Sequence, residues 1–257
     1  MMLALRSLVQ LVVAMYLAAL LSGCATTTAN LPPEEPAMHS VAESVDDEKM
    51  LYVDDPWINF NKRMYTFNYY ADKYVILPVV RSYEFITPEL MQDGVSNFFN
   101  NIGEVKTLYN SLLQAKGKKS LVTFGRFVTN STIGIGGLFD VAKKMGMERQ
   151  SEDFGQTLGV WGVGSGPYVV LPILGPNTVR STTGFLVDTG ARIAIVDGLN
   201  IYGDDDESGA IEAAVTTLEF IDTRHQIKFR YYKTHYPFEY FMVRYLYKQQ
   251  REFAIMK

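Results

Sequence analysis

The sequence predicts a mainly α-helical domain with little or no sheet, and three observations carry that reading. Long stretches place apolar residues three and four apart, the period of one helix face. Two of those stretches open on a polar residue followed by proline, a common way to start a helix. The one strand-like run, Tyr168 to Leu174 (YVVLPIL), is interrupted by Pro172, which cannot donate to a ladder.

Taken in order, the first helix is capped by Asp54 or Asp55 with Pro56 at its first position. Trp57, Phe60, Met64, Phe67, Ala71 and Tyr74 then share one face, and Leu77-Pro78 is expected to end or kink it. Thr87-Pro88-Glu89 repeats the start. Met91, Val95, Phe98, Ile102, Val105, Tyr109 and Leu112 form the stripe of a long second helix, whose Asn, Glu and Lys residues argue against simple lipid spanning. A third helix is expected from Lys118 to Thr132 with Leu121, Phe124 and Val128 facing inward, and the glycines of GIGG (Gly134, Gly136, Gly137) break it. A short helix around Leu138 to Lys144 closes at Gly146. GDDDESG, Gly203 to Gly209, is a polar turn before a helix near Ile211. The last helix puts Phe238, Phe241, Met242, Tyr245, Leu246 and Phe253 on one face and Arg244, Lys248 and Arg251 on the other.

The ends set the compartment. Arg6 precedes an apolar run from Leu8 to Leu21, too short for a comfortable span, and LSGC follows, so residues 1–23 read as a lipoprotein signal peptide. Cleavage before Cys24, the single cysteine of the chain, would leave its thiol and new amino group to carry acyl chains. No other cofactor is expected. Ala25 in place of aspartate after that cysteine favours the outer membrane over the inner. Residues 24–53 then form an acylated, proline-rich and acidic tether, too poor in large apolar residues to offset its ordering entropy. Residues 54–257 form one domain.

The full chain holds 24 basic and 28 acidic residues, a formal charge of −4, and nothing in it points to nucleic acid. Its charge is uneven: Arg224 to Lys257 carries eight basic and two acidic residues with many aromatics between them. Two readings stand side by side, a lipid-headgroup interface or a solvated basic helix packing its rings inward.

No catalytic residue can be named. There is no HExxH, no GxSxG around Ser165, where Val163 and Pro167 stand, and no GK[ST] after a GxxxxG. No metal site is expected. The glycine-rich run DFGQTLGVWGVGSGP, Asp153 to Pro167, therefore reads as turns and close backbone approaches rather than a phosphate cradle.

Several segments together resemble the MlaA/VacJ family of outer-membrane lipoproteins: DPWINFNKRMYTFN (Asp55 to Asn68), NFFNN (Asn97 to Asn101), RFVTNSTIGIGGLFD (Arg126 to Asp140), DFGQTLGVWGVGSGPYVVLPILGPNTVR (Asp153 to Arg180) and MVRYLYKQQREF (Met242 to Phe253). The family usually shows FNR where Phe60-Asn61-Lys62 stands, and Arg-Asp where Arg180-Ser181 stands. The resemblance implies a ring-like helical domain embedded in the periplasmic leaflet of a Gram-negative outer membrane, associated with trimeric porins. It also implies a central amphipathic channel, through which phospholipids misplaced in the outer leaflet pass to a soluble, MlaC-like periplasmic carrier, so that lipid asymmetry is maintained. Alternatives are an envelope lipid-modifying enzyme and a porin scaffold that transports nothing. On the transport reading, Val169, Leu171 and Leu174 are channel wall. Lys62, Arg126 and Arg180 either attract phosphate or pair with Asp140, Asp153 or a carbonyl. Phe67 is closed-channel packing or plain core, and the GIGG segment through Gly146 is a gate.

Overall fold

A computed structural model describes residues 53–203, 207–233 and 238–257; the leader, Cys24 and the tether through Tyr52 lie outside the described residues, as do Asp204 to Asp206 of the polar turn and His235. The chain is mainly helical, as its periodicities require. Its helices are α1 (Ile58–Ala71), α2 (Leu77–Ile86), α3 (Glu89–Leu113), α4 (Gly117–Thr132), α5 (Val141–Lys144), α6 (Phe154–Val160), α7 (Val179–Gly198), α8 (Ser208–Gln226) and α9 (Glu239–Met256). Between α6 and α7 lie β1 (Tyr168–Leu171) and β2 (Gly175–Thr178), an antiparallel hairpin with Tyr168 opposite Thr178 and Leu171 opposite Gly175.

The starts of the first two helices differ from expectation. Asp55 does not cap α1, which begins behind Trp57 with no side-chain cap. Its carboxylate instead accepts from Asn61 Nδ2 at 2.7 Å, from Arg244 at 3.1 Å and from the Tyr240 hydroxyl. Pro78 does not end the helix either. A π-helical turn, Asp72–Ile76, joins α1 to α2, and Pro78 falls in the first turn of α2, where a missing N–H costs little. Val53, assigned by composition to the tether, is buried with Tyr65, Tyr168, Val170 and Tyr240, so the packed region includes it.

Pro172 explains the hairpin that periodicity alone did not yield. It stops β1 after four residues, and the chain turns through Ile173, at φ +66°, and Leu174. Two asparagines one heptad apart on α1 complete the strand's backbone bonding. Asn61 donates to the Tyr168 carbonyl (3.0 Å) and accepts from the Val170 N–H (2.8 Å). Asn68 donates to the Leu171 carbonyl (2.9 Å) and accepts from the Ile173 N–H (2.6 Å). Each amide thus serves as a short length of neighbouring strand and covers an edge that would otherwise stay unpaired.

Glycines let α6 lie against two helices. A Cβ on Gly184 of α7 would stand 2.1 Å from the Gly155 nitrogen, and one on Gly159 would stand 2.4 Å from Ile255 Cδ1 of α9. Gly155 and Gly159 are four apart, the spacing that lets helix backbones approach closely. Above this contact, Asp153 caps α6 through the Gln156 N–H (2.9 Å) and takes both Arg251 nitrogens of α9 at 2.6 and 2.7 Å. Burial alone would raise its pKa, but Arg251 and the Gln156 amides outweigh burial and hold the carboxyl down at about 2.

Two outcomes follow. Gly184→Ala places a methyl against backbone that cannot yield, so purified protein should melt about 5–10 °C lower, an effect of about 3 kcal/mol. Gly190→Ala, on the same helix and facing open space, should be neutral or stabilising by about 0.5–1 kcal/mol; equal melting of the two variants would contradict the packing. Because the Asp153 carboxyl lies below its unfolded value of about 3.9, its stabilisation is complete above roughly pH 5 and is lost as pH falls through about 2. Asp153→Asn should flatten that acid limb of the stability profile.

Candidate functional site

The distribution of polarity across the helices is the feature that a function must explain. In α4 the buried residues are Ser120, Thr123, Arg126 and Asn130, while Leu121 is 75% exposed and Phe124 54%. In α7 Arg180, Ser181, Gly184 and Asp188 are buried, and Phe185, Leu186, Val187, Ile193 and Ile195 are exposed. In α1 Asn61, Tyr65 and Asn68 face inward, while Phe60 and Phe67, and Trp57 just before the helix, are exposed. Leu121, Phe124 and Val128 therefore point away from the interior, opposite to expectation. The 3.6-residue period identifies a shared face but does not say which solvent that face meets. Among the described residues, eight hydrophobic side chains are buried against twenty-three polar or charged ones, an inversion of the usual preference.

The inward faces are joined by hydrogen bonds and ion pairs. Asp188 of α7 accepts from the Tyr109 hydroxyl (2.5 Å), Asn110 Nδ2 (3.0 Å) and the Phe154 N–H (3.0 Å). Thr157 of α6 donates to Asn110 Oδ1 at 2.7 Å and accepts from Gln114 at 3.1 Å. Gln114 also donates to Glu152, which pairs with Lys119. Asp72, in the π turn, takes Arg224 of α8 at 2.6 and 2.7 Å. Tyr65 donates to Glu239, which also accepts from the Tyr232 N–H.

The residues singled out in the sequence fall into distinct settings. Arg126 is 2% exposed; it donates to Glu104 (2.7 Å), Asp140 (3.1 Å) and the Met147 carbonyl. Burial opposes its charge, but the Glu104 and Asp140 carboxylates more than compensate, so its pKa is raised; at Asp140 burial is likewise outweighed, by Asn130, the Lys143 N–H and Arg126, and its pKa is lowered. Arg180 is buried as well, donating to the Val163 carbonyl (2.8 Å) and to Glu252 (3.1 Å). Both arginines thus take the pairing alternative, and their guanidinium groups tie segments together.

Lys62 lies on α1 with its ammonium 5.0 Å from the Phe241 ring centroid. Phe67 is 48% exposed and lies outside the buried core cluster. On the hairpin, Val169 and Leu171 are half-buried and alternate with buried Val170, and Leu174 is exposed at the turn. At the GIGG turn, a Cβ on Gly134 would meet the Phe139 carbonyl at 2.3 Å, and one on Gly137 would meet Asn101 at 2.7 Å. Gly136 faces open space at φ +66°. The turn is held by Asn130 and Asp140 (3.0 Å), and it displays Ile133, Ile135, Leu138 and Phe139 outward. In α9, Arg244 and Arg251 turn inward to Asp55 and Asp153, whereas Leu246, Phe253 and Met256 are exposed.

Sequence reasoning missed Asn61, Asn68, Asp188 and Glu104, and gave Asp55 only a capping role. The available signal was the period of the polar residues, such as Arg180, Ser181, Gly184 and Asp188, which is as regular as that of the apolar ones. No described helix is long and apolar enough to cross a membrane.

Comparison with known proteins supplies the context. A family model described as MlaA lipoprotein matches residues 53–254. A protein of Rickettsia typhi is 39% identical over 133 residues, 52% of this chain and 53% of its own length, so the chain spans about half of that relative. A Shigella flexneri protein, named an intermembrane phospholipid transport system lipoprotein MlaA, is 35% identical over 177 residues, covering 67% of this chain and 66% of its own. A solved structure, described as the structural basis for maintenance of bacterial outer membrane lipid asymmetry, superposes with a TM-score of 0.61 at 31% identity, covering 79% of this chain and all of that one. With a family match over almost all of the described residues, this chain belongs to the MlaA lipoprotein family.

Proposed function

We propose that this protein is an outer-membrane lipoprotein that keeps the two leaflets unlike by removing misplaced phospholipids from the outer leaflet and passing them to a soluble periplasmic carrier. The observation that carries this reading is the inversion of its helices. Stripes such as Leu121, Phe124 and Val128 or Phe185, Leu186 and Val187 are too many to leave in water. Transfer of ten such half-exposed side chains into acyl chain is worth on the order of 10 kcal/mol. The buried hydrogen-bond network is the matching internal arrangement, since a group facing hydrocarbon has no water to turn to. Acyl chains on Cys24 would hold the protein to the same surface, several chains anchoring far more durably than one.

Phospholipid movement sets two demands. Each acyl methylene exposed to water costs about 0.8 kcal/mol, and the headgroup resists passage through hydrocarbon. A route lined by the half-buried Val169 and Leu171 and by Leu174 meets the first demand. The GIGG turn through Gly146, with its outward isoleucines, is the gate on this account. The second demand does not fall to Arg126 or Arg180, whose guanidinium groups are already committed to carboxylates and carbonyls. The protein carries out no bond chemistry on this account, and trimeric porin is its neighbour in the membrane.

A strain lacking the gene should expose more phosphatidylethanolamine to a membrane-impermeant amine reagent and become detergent-sensitive, and the wild-type gene should restore both. Unchanged labelling would overturn the proposal. Purified protein that yields lysophospholipid or free fatty acid from labelled phospholipid would favour an enzyme. Normal leaflet asymmetry with lost porin assembly would favour a scaffold.

A further inference from the structure

The outer side of α1 holds a second feature, apart from its asparagine clamp. Residues Asn59, Lys62, Arg63 and Thr66 recur at steps of three and four, one helix face, and line an open depression of about 490 Å³. That volume lies in the range of small-ligand sites. Among the described residues its polar lining is electropositive: one amide, one ammonium and one guanidinium, with no carboxylate. Asp55, the acidic residue nearest in sequence that turns inward, is buried against Asn61 and Arg244. The Thr66 hydroxyl donates to the Lys62 carbonyl at 3.0 Å and is therefore wall rather than donor. Arg63 is exposed, and among the described residues its guanidinium has no hydrogen-bond or ion-pair partner. The Lys62 ammonium lies over the Phe241 and Tyr240 rings, at 5.0 and 6.0 Å from their centroids.

Two apolar rings stand beside this face on the helix. Phe60 precedes Arg63 by three residues and Phe67 follows it by four, so both adjoin it on the helix surface, and they are 49% and 48% exposed. Two cations beside two open rings match a molecule with a phosphate at one end and hydrocarbon at the other. We infer that this face of α1 is a phospholipid headgroup site, in which Arg63 and Lys62 hold the phosphate, Asn59 donates to its oxygens or to the glycerol ester, and Phe60 and Phe67 bear on the first acyl methylenes. The inference rests on the proposed lipid-handling role and supplies the headgroup contact that the buried arginines cannot. Its ligand class is an anionic phosphodiester attached to acyl chain, and free phosphate shares only half of that chemistry.

The test uses the full chain in a phosphate-free non-ionic detergent, titrated with dihexanoylphosphatidylglycerol, glycerol 3-phosphate and inorganic phosphate and followed by ³¹P line broadening. The lipid should bind most tightly, and added salt should weaken it. Arg63→Gln should weaken lipid binding about tenfold or more, with Arg63→Lys losing less. Phe67→Ser should weaken the lipid but leave glycerol 3-phosphate unchanged. All three substitutions are at the surface, and unaltered melting confirms that the fold is kept. Undiminished lipid binding by Arg63→Gln overturns the site, and inorganic phosphate binding as tightly as the lipid overturns the headgroup assignment in favour of a phosphate site. The leaflet-labelling experiment separates the levels: a null strain that exposes phospholipid while Arg63→Gln binds normally removes this site and leaves transport standing.

Discussion

Arginine–carboxylate pairs between segments remote in sequence are the constraint on which the rest of this structure depends. Asp55 meets Arg244, Asp72 meets Arg224, Asp153 meets Arg251, and Glu104 and Asp140 both meet Arg126. The first three tie the amino-terminal and central helices to the last two, and the fourth fastens the GIGG turn to α3 and α4. An apolar core of ordinary size would make such pairs optional. Here the interior is polar, and removing one partner of a buried pair leaves an uncompensated charge, typically a loss of about 3–5 kcal/mol. The fold is therefore specified by a set of matched polar groups, each with its own geometry, rather than by apolar volume.

That choice of interior follows from the choice of exterior. With apolar stripes turned outward on α1, α4 and α7, hydrophobic burial cannot tell one helix neighbour from another, since acyl chains would serve a leucine as well as a protein core would. Hydrogen bonds and close glycine contacts discriminate where apolar burial does not. Gly155, Gly159 and Gly184 set the approach of α6 to its neighbours. Asn61 and Asn68 set the register of the hairpin against α1, and Asp188 fixes α7 against α3 and α6. Each fixes one relative position of two elements, and together they leave the outward apolar surface free of structural duty.

How far this was legible in the sequence depends on the element. The helices over Glu89–Leu113, Gly117–Thr132 and Glu239–Met256 follow from the apolar period alone, because any amphipathic helix has that period whichever way it faces. Direction was not legible for the same reason, and Leu121, Phe124 and Val128 turned out to face outward. Helix α7 went unread because its apolar residues surround much of its circumference, so its signal lies in the spacing of Arg180, Gly184 and Asp188. Pro172 argued against a strand and in fact marks the turn of a hairpin whose edge is bonded by side chains, an arrangement that strand propensity cannot reveal. At the candidate site, the motifs located Arg126 and Arg180, but only the fold assigns them to carboxylates. Arg63 carried no reading of its own in the sequence, and its open setting beside Phe60 and Phe67 became visible once α1 was oriented.

The central claim is that the outward apolar faces meet lipid. Spin labels placed one at a time at positions 121, 124, 128, 185 and 186, with the protein reconstituted in phospholipid bilayers, test it by collision with oxygen and with a water-soluble nickel chelate. Oxygen partitions into hydrocarbon and the chelate does not. The account predicts high oxygen and low chelate accessibility at these positions, with position 190 as a helix-surface comparison. High chelate accessibility at 121, 124 and 128 would place those faces in water and contradict it.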